Sequence, residues 1–193
     1  MRPITFNIFF YLVLIGTALN AQSNLTLDVN KSSLIIEGTS TLHDWHIVAR
    51  QLQGSSSLNK DATKITEINS LTFSVIVKGL DSGKSLMDNN TYKAMVEPKY
   101  PTVDFNLKRV ESIKPSVDGK GYIIRASGDL TIVGKTINEE MKVYSLVNSD
   151  GSVQFKGELA FPMSKYSVDP PTAVMGTIKT GDDVKIKFSV VYN

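Results

Sequence analysis

The sequence has no cysteine among its 193 residues. That absence excludes disulfides, thiolate metal ligands, a thiol nucleophile and a lipidated N-terminal cysteine together. Histidine is nearly missing as well: the two copies, His43 and His46, share one tetrapeptide with the only tryptophan, Trp45. Charge of one sign is lacking, since 21 Lys+Arg face 19 Asp+Glu for a net +2. The concentrated basic face of a nucleic-acid binder is therefore not expected. Neither a GxGxxG dinucleotide motif nor a G-x-S-x-G nucleophile elbow occurs. Long apolar runs are confined to the first twenty residues.

That first stretch reads as an address. Arg2 and the α-amine make a positive start, residues 8–15 are uninterruptedly apolar, and Gly16-Thr17-Ala18-Leu19-Asn20-Ala21 closes on a small residue. Residues 8–19 are too few to span a bilayer, which takes about 20. A cleaved signal peptide over 1–21 is expected, leaving 22–193 as one exported domain, periplasmic or secreted. No later segment approaches transmembrane length.

Beyond residue 22 the chain has the periodicity of strands. Val184, Ile186, Phe188, Val190 and Tyr192 alternate with Lys185, Lys187, Ser189 and Val191. The same alternation places Leu71, Phe73, Val75 and Val77 on one face, Val103, Phe105 and Leu107 on another, and Val153, Phe155, Gly157, Leu159 and Phe161 on a third. Residues 25–30, 34–38, 45–55, 122–132 and 136–147 are further candidates. Asp118-Gly119-Lys120-Gly121, Val133-Gly134-Lys135 and Ser149-Asp150-Gly151 supply tight turns. About eight strands joined by short turns, with no crossover helices, exclude a parallel α/β sheet. An all-β antiparallel barrel is expected, because closure removes exposed edges.

Two segments break the alternation. Ser85-Leu86-Met87-Asp88 has the form of a capping box and opens a short helix to about residue 95. Met87, Thr91, Ala94 and Met95 then share a face, and Pro98 and Pro101 enforce the exit. Residues 162–183 hold Pro162, Pro170, Pro171, Gly176 and Gly181, a density that forbids a continuous ladder. A short helix and a long loop on a barrel make a cap or a mouth.

The remaining motifs favour plain readings. Gly134-Lys135-Thr136 resembles the end of a P-loop, but five residues separate it from Gly128 where four are required, and strands flank it. His43 and His46 are the best metal candidates, yet i and i+3 on a strand point to opposite faces and a third ligand is lacking. No catalytic residue, metal or cofactor is assigned. The interior carries what chemistry remains. Trp45, Phe73, Val75, Phe105, Phe155, Leu159 and Phe188, overlaid by Met87 and Met95, are expected to line an apolar space. An eight-stranded barrel is wide enough to be filled by side chains or to hold one small ligand. A lipid-binding barrel and a solid protein-interaction module both remain open on this ground.

Three stretches together resemble a known family. They are Gly38-Thr39-Ser40-Thr41-Leu42-His43-Asp44-Trp45, the run Leu86-Met87-Asp88-Asn89-Asn90-Thr91-Tyr92-Lys93-Ala94 closing on Tyr100-Pro101-Thr102-Val103-Asp104-Phe105, and Gly128-Asp129-Leu130-Thr131-Ile132-Val133-Gly134-Lys135-Thr136. In order and spacing they are similar to the YceI-like family of bacterial exported lipid-binding proteins, over residues 25–193. The resemblance implies a lipocalin-like barrel under a helix, a hydrophobic ligand inside (polyisoprenoid in characterised members), an extracytoplasmic location and no catalytic residue. The segment Thr172-Ala173-Val174-Met175-Gly176-Thr177-Ile178-Lys179-Thr180-Gly181 resembles the family's irregular approach to its last strand.

Overall fold

A computed structural model of the protein describes residues 22–173 and 176–193. The expected signal peptide at 1–21 lies outside the described residues, as do Val174 and Met175 of the loop before the last strand. The strands run as β1 (Gln22–Thr26), β2 (Ser33–Ser40), β3 (Trp45–Ala49), β4 (Leu52–Lys60), β5 (Ile65–Ile76), β6 (Leu80–Asp81), β7 (Thr102–Pro115), β8 (Tyr122–Ile132), β9 (Lys135–Val147), β10 (Val153–Pro162), β11 (Thr172–Ala173) and β12 (Ile178–Tyr192). One α-helix, α1 (Ser85–Ala94), and 3-10 turns at Val29–Lys31, Val77–Gly79 and Met163–Tyr166 complete the described chain.

Every pairing is antiparallel, in the order β1-β4-β5-β7-β8-β9-β10-β12-β2-β3-β6 with β11 beside β12. β3 runs on into β4 across residues 50–51, and β6 continues β5 beyond the Val77–Gly79 turn. The twelve elements thus amount to the expected eight long strands, with β1 and β11 as short additions. Because β6 extends β5, the β3–β6 pairs Val48↔Asp81 and Ala49↔Leu80 bring the two edges of the sheet together. The sheet curls on itself into the expected all-β antiparallel barrel, with α1 over one end.

Local chemistry explains where the expectations shift. Residues 45–55 form two strands because the chain turns a corner there: Arg50 N–H donates to the Gly79 carbonyl at 2.8 Å, and Gln51 accepts from Ile76 N–H at 3.0 Å. Residues 25–30 likewise divide into β1 and a 3-10 turn capped by Asp28. The helix begins as expected, but its cap is not the Ser85–Asp88 box. Lys84 occupies the cap position without a side-chain bond. Asp88 instead reaches back to Ser82, accepting from its N–H at 2.8 Å and its hydroxyl at 2.6 Å. The proline- and glycine-rich 162–183 segment is loop only in its middle. β12 already starts at Ile178, and its ladder with β2 is interrupted between Thr180 and Val184. The β8–β9 connection is a two-residue turn at Val133 (φ 49°) and Gly134 (φ 74°), the positive-φ pair that a tight hairpin needs.

Apolar burial falls into two clusters. The deeper one includes Leu58, Ile65, Val153 and Tyr192, and the other, towards the helix end, joins Leu130, Ile132, Phe161, Tyr166, Val168 and Val184. Tyr166 and Tyr192 are fully buried. Burial pushes both hydroxyls above the ordinary tyrosine range, and at Tyr166 the Glu139 carboxylate pushes the same way. An unfolded tyrosine ionises near about 10 while these two resist. Their contribution to stability is therefore complete below about pH 10 and is lost as the pH rises further. Denaturant midpoints should fall steeply above about pH 10, and tyrosinate absorbance should show two residues that titrate only when the protein unfolds.

Candidate functional site

The barrel interior is hollow. A cavity of about 430 Å³ is walled by residues from all eight long strands and roofed by α1. The wall includes Trp45, Phe73, Val75, Phe105, Phe155, Leu159 and Phe188, and Met87 and Met95 reach it from the helix. All nine residues singled out in the sequence thus stand on one surface. Sequence reasoning passed over the part of the wall made by β8 and β9, where Ile124, Ala126, Leu130, Ile132, Met141 and Val143 line the space. The period-2 signal was present in residues 124–132, but Ala126 and Gly128 thin the apolar stripe.

The polar atoms of the Trp45, Tyr166 and Tyr192 rings are already hydrogen-bonded within the protein. Trp45 Nε1–H donates to the Thr39 carbonyl at 2.8 Å. Tyr192 donates its hydroxyl proton to the Thr72 carbonyl at 3.0 Å, and Tyr166 donates to Glu139 Oε1 at 2.6 Å. An apolar guest meets methyl, methylene and ring carbon almost everywhere, and these hydroxyls and the indole N–H are already bonded.

Room for that guest comes from glycines beneath the rings. A Cβ on Gly38 would lie 2.2 Å from the Trp45 ring, one on Gly128 2.3 Å from Phe105, and one on Gly157 2.8 Å from Phe188. Gly38 is the cross-strand partner of Trp45, and Gly157 that of Phe188. Each ring therefore lies across bare backbone against the wall. A side chain at any of these positions would lift its ring into the lumen.

The mouth lies where the β2–β3 turn, the start of α1 and the loop before β12 converge. Leu42 and Leu86 stand there 66% and 68% exposed, with Ser40, His43, Lys84 and Asn90 beside them. Ser40 shapes the turn through its hydroxyl, which donates to the His43 carbonyl at 2.8 Å. Tyr92 fixes the helix from below, donating its hydroxyl to the Leu80 carbonyl at 2.8 Å. Burial and the carboxylates Asp88, Asp81 and Glu97 raise that hydroxyl's pKa. The two histidines do not converge. His43 sits at the mouth with Nδ1 2.6 Å from the Asp44 carbonyl oxygen, while His46 is exposed opposite Glu37 on the outer face. Among the described residues no group of three or more His, Asp or Glu side chains is placed to hold a metal. No helix among them is long and apolar enough to cross a membrane.

Trp45 is the chain's only tryptophan, so its fluorescence reports the wall directly. Gly38→Val should displace the indole, shift its emission to longer wavelength and cost about 1–3 kcal/mol of stability in denaturant titration. An unshifted spectrum would show that the ring does not need the bare backbone.

Three solved structures share this architecture at sequence identities that speak for the fold alone. Burkholderia cenocepacia BcnA aligns with a TM-score of 0.65 and 20% identity, over 86% of this chain and 98% of its own. A polyisoprenoid binding domain from Saccharophagus degradans, described as implicated in plant cell wall breakdown, aligns with a TM-score of 0.65 and 12% identity, over 88% of this chain and 97% of its own. The Campylobacter jejuni YCEI protein aligns with a TM-score of 0.54 and 15% identity, over 99% of this chain and 97% of its own. Among curated proteins none is similar enough in sequence to match. The YceI-like domain family itself matches residues 21–192, nearly the whole chain, and the protein belongs to that family.

Proposed function

We propose that the protein is an exported, non-enzymatic carrier that holds an isoprenoid or another long-chain lipid inside its barrel. The observation that carries this reading is the lumen: about 430 Å³, within the 300–1,000 Å³ usual for small-molecule sites, and walled almost wholly by carbon. A side-chain-filled barrel, the basis of the interaction-module alternative, leaves no such space. Apolar transfer supplies the affinity. Roughly ten buried CH₂ groups at about 0.8 kcal/mol each give about 8 kcal/mol before ordering costs, the scale of micromolar binding. Trp45, Phe73, Val75, Phe105, Phe155, Leu159 and Phe188 would grip the chain, with Met87 and Met95 adapting from above as flexible thioethers do. The likeness to a polyisoprenoid binding domain supports a branched apolar chain as the guest. Residues 1–21 would direct export to the periplasm or beyond and then be removed.

Protein purified from its native host should yield a long-chain apolar compound to organic extraction and mass spectrometry. Delipidated protein should take up a long-chain probe with a change in Trp45 emission. Ala126→Phe projects a ring from the buried β8 wall and should weaken uptake at least tenfold while circular dichroism stays that of a β barrel. Recovery of empty protein, together with a Trp45 signal indifferent to every long-chain probe, would overturn the reading.

A further inference from the structure

One stretch of the barrel wall is not sheet. The β8–β9 ladder runs unbroken from Tyr122↔Ser145 to Ile132↔Lys135, and the β10–β12 ladder from Val153↔Tyr192 to Pro162↔Asp183. Between them, β9 and β10 pair over five residues only, from Val153↔Val147 to Gly157↔Val143. Above Gly157, residues 158–162 of β10 and 135–142 of β9 share no ladder. At about 3.3 Å per residue, the unpaired part of β10 is about 17 Å long.

The chain closes this seam with a strap, residues 163–168. On its inner side Met163, Tyr166 and Val168 face the lumen and complete its wall. The Tyr166 ring packs 4.9 Å from that of Phe161. Side chains tie the strap to its neighbours. Glu139 of β9 is 7% exposed, and its Oε1 accepts both the Tyr166 hydroxyl and Lys165 Nζ at 2.6 Å. Ser164 donates its N–H and hydroxyl to the two oxygens of Asp182 at 2.9 and 2.5 Å, and these bonds hold the Asp182 carboxyl below the usual carboxylate range. Lys135 Nζ lies 3.5 Å from Ser167 Oγ. Ser167 ends the turn in the left-handed region, at φ 61°.

A ladder opens as a cooperative unit, whereas side-chain ties are released one at a time and at lower cost. The roof is held by side chains as well, since Tyr92 and the Asp88–Ser82 bonds fasten α1 to the strand end beneath it, so the seam is set apart by its missing ladder. We propose that residues 163–168 form a side door: a lateral entrance through which a long apolar chain passes between β9 and β10, latched by the buried Glu139. The proposal rests on the reading of the lumen as a lipid carrier. Release of the strap carries Tyr166 out of the wall and opens the lumen along the seam. A chain then enters broadside instead of threading end-on past the helix.

Stopped-flow uptake and release of a pyrene-labelled hexadecanoate test the door. Ser167→Cys with Lys135→Cys places two thiols, the only ones in the chain, on the strap and on β9. Bridging them with a short bismaleimide should slow uptake and release together, at least fivefold, relative to the same double variant left unbridged. Glu139→Gln, which gives up the Lys165 ion pair but keeps an acceptor for Tyr166, should speed both rates several-fold. Rates unaffected by the bridge, in protein that binds the probe, would overturn the side door and assign traffic to the mouth under α1. Failure of the unmodified protein to take up any long-chain probe would overturn the carrier reading, and the door with it.

Discussion

Closure of the sheet is the constraint on which the interior depends. A twisted sheet of eight long strands left open would expose two unpaired edges and much of an apolar face. Here the edges meet through the pairs Val48↔Asp81 and Ala49↔Leu80, reinforced by chain continuity at residues 50–51 and at Val77–Gly79, and again where Leu27 bridges Tyr192 and Thr26 and Asn193 exchange backbone hydrogen bonds. Arg50 and Asp81 add an ion pair at 3.1 Å at the rim of that junction. The Gly83 N–H and the Arg50 guanidinium together hold the Asp81 carboxyl below the usual carboxylate range. Both partners are well exposed, so the pair positions the edge more than it stabilises it. In a chain without disulfides, the work of holding the wall falls to ladders and apolar burial.

A closed barrel of this size is filled by default, and the hollow has a specific origin. Large aromatic residues would meet at the axis if they stood upright. Trp45, Phe105 and Phe188 instead lie across Gly38, Gly128 and Gly157. The aromatic surface is retained as wall while its volume is withdrawn from the centre. With the hydroxyls of Tyr166 and Tyr192 and the Trp45 N–H bonded within the protein, the wall is chemically quiet as well as empty. Such a surface offers a guest little beyond length and shape by which to be selected.

Strand alternation is visible in any sequence whose sheet has one wet and one dry face, and so the barrel and its aromatic lining were legible from the residues alone. β8 matches residues 122–132 to the residue, because both of its flanks carry turn chemistry. The illegible features share one physical cause, namely that the deciding partner is distant in sequence. The break between β3 and β4 depends on Gly79, and the helix cap depends on Ser82 rather than on the box at Ser85. The strap at Met163–Tyr166 depends on Glu139, a residue of a separate strand. The roles of Gly38, Gly128 and Gly157 needed the identity of the ring opposite each one. Local patterns carried the elements, whereas the cavity arose from pairings between them.

The helix over the mouth is joined directly to the strand that closes the barrel. β5 passes through Val77–Gly79 into β6, and three residues later α1 begins, fastened back to that path by Tyr92 and Ser82. Lid and hoop are therefore one mechanical part. Any force that tilts the helix is delivered to the β3–β6 junction, and any loosening of that junction widens the opening beneath the helix. The aperture of the mouth is thereby coupled to the junction of β3 with β6.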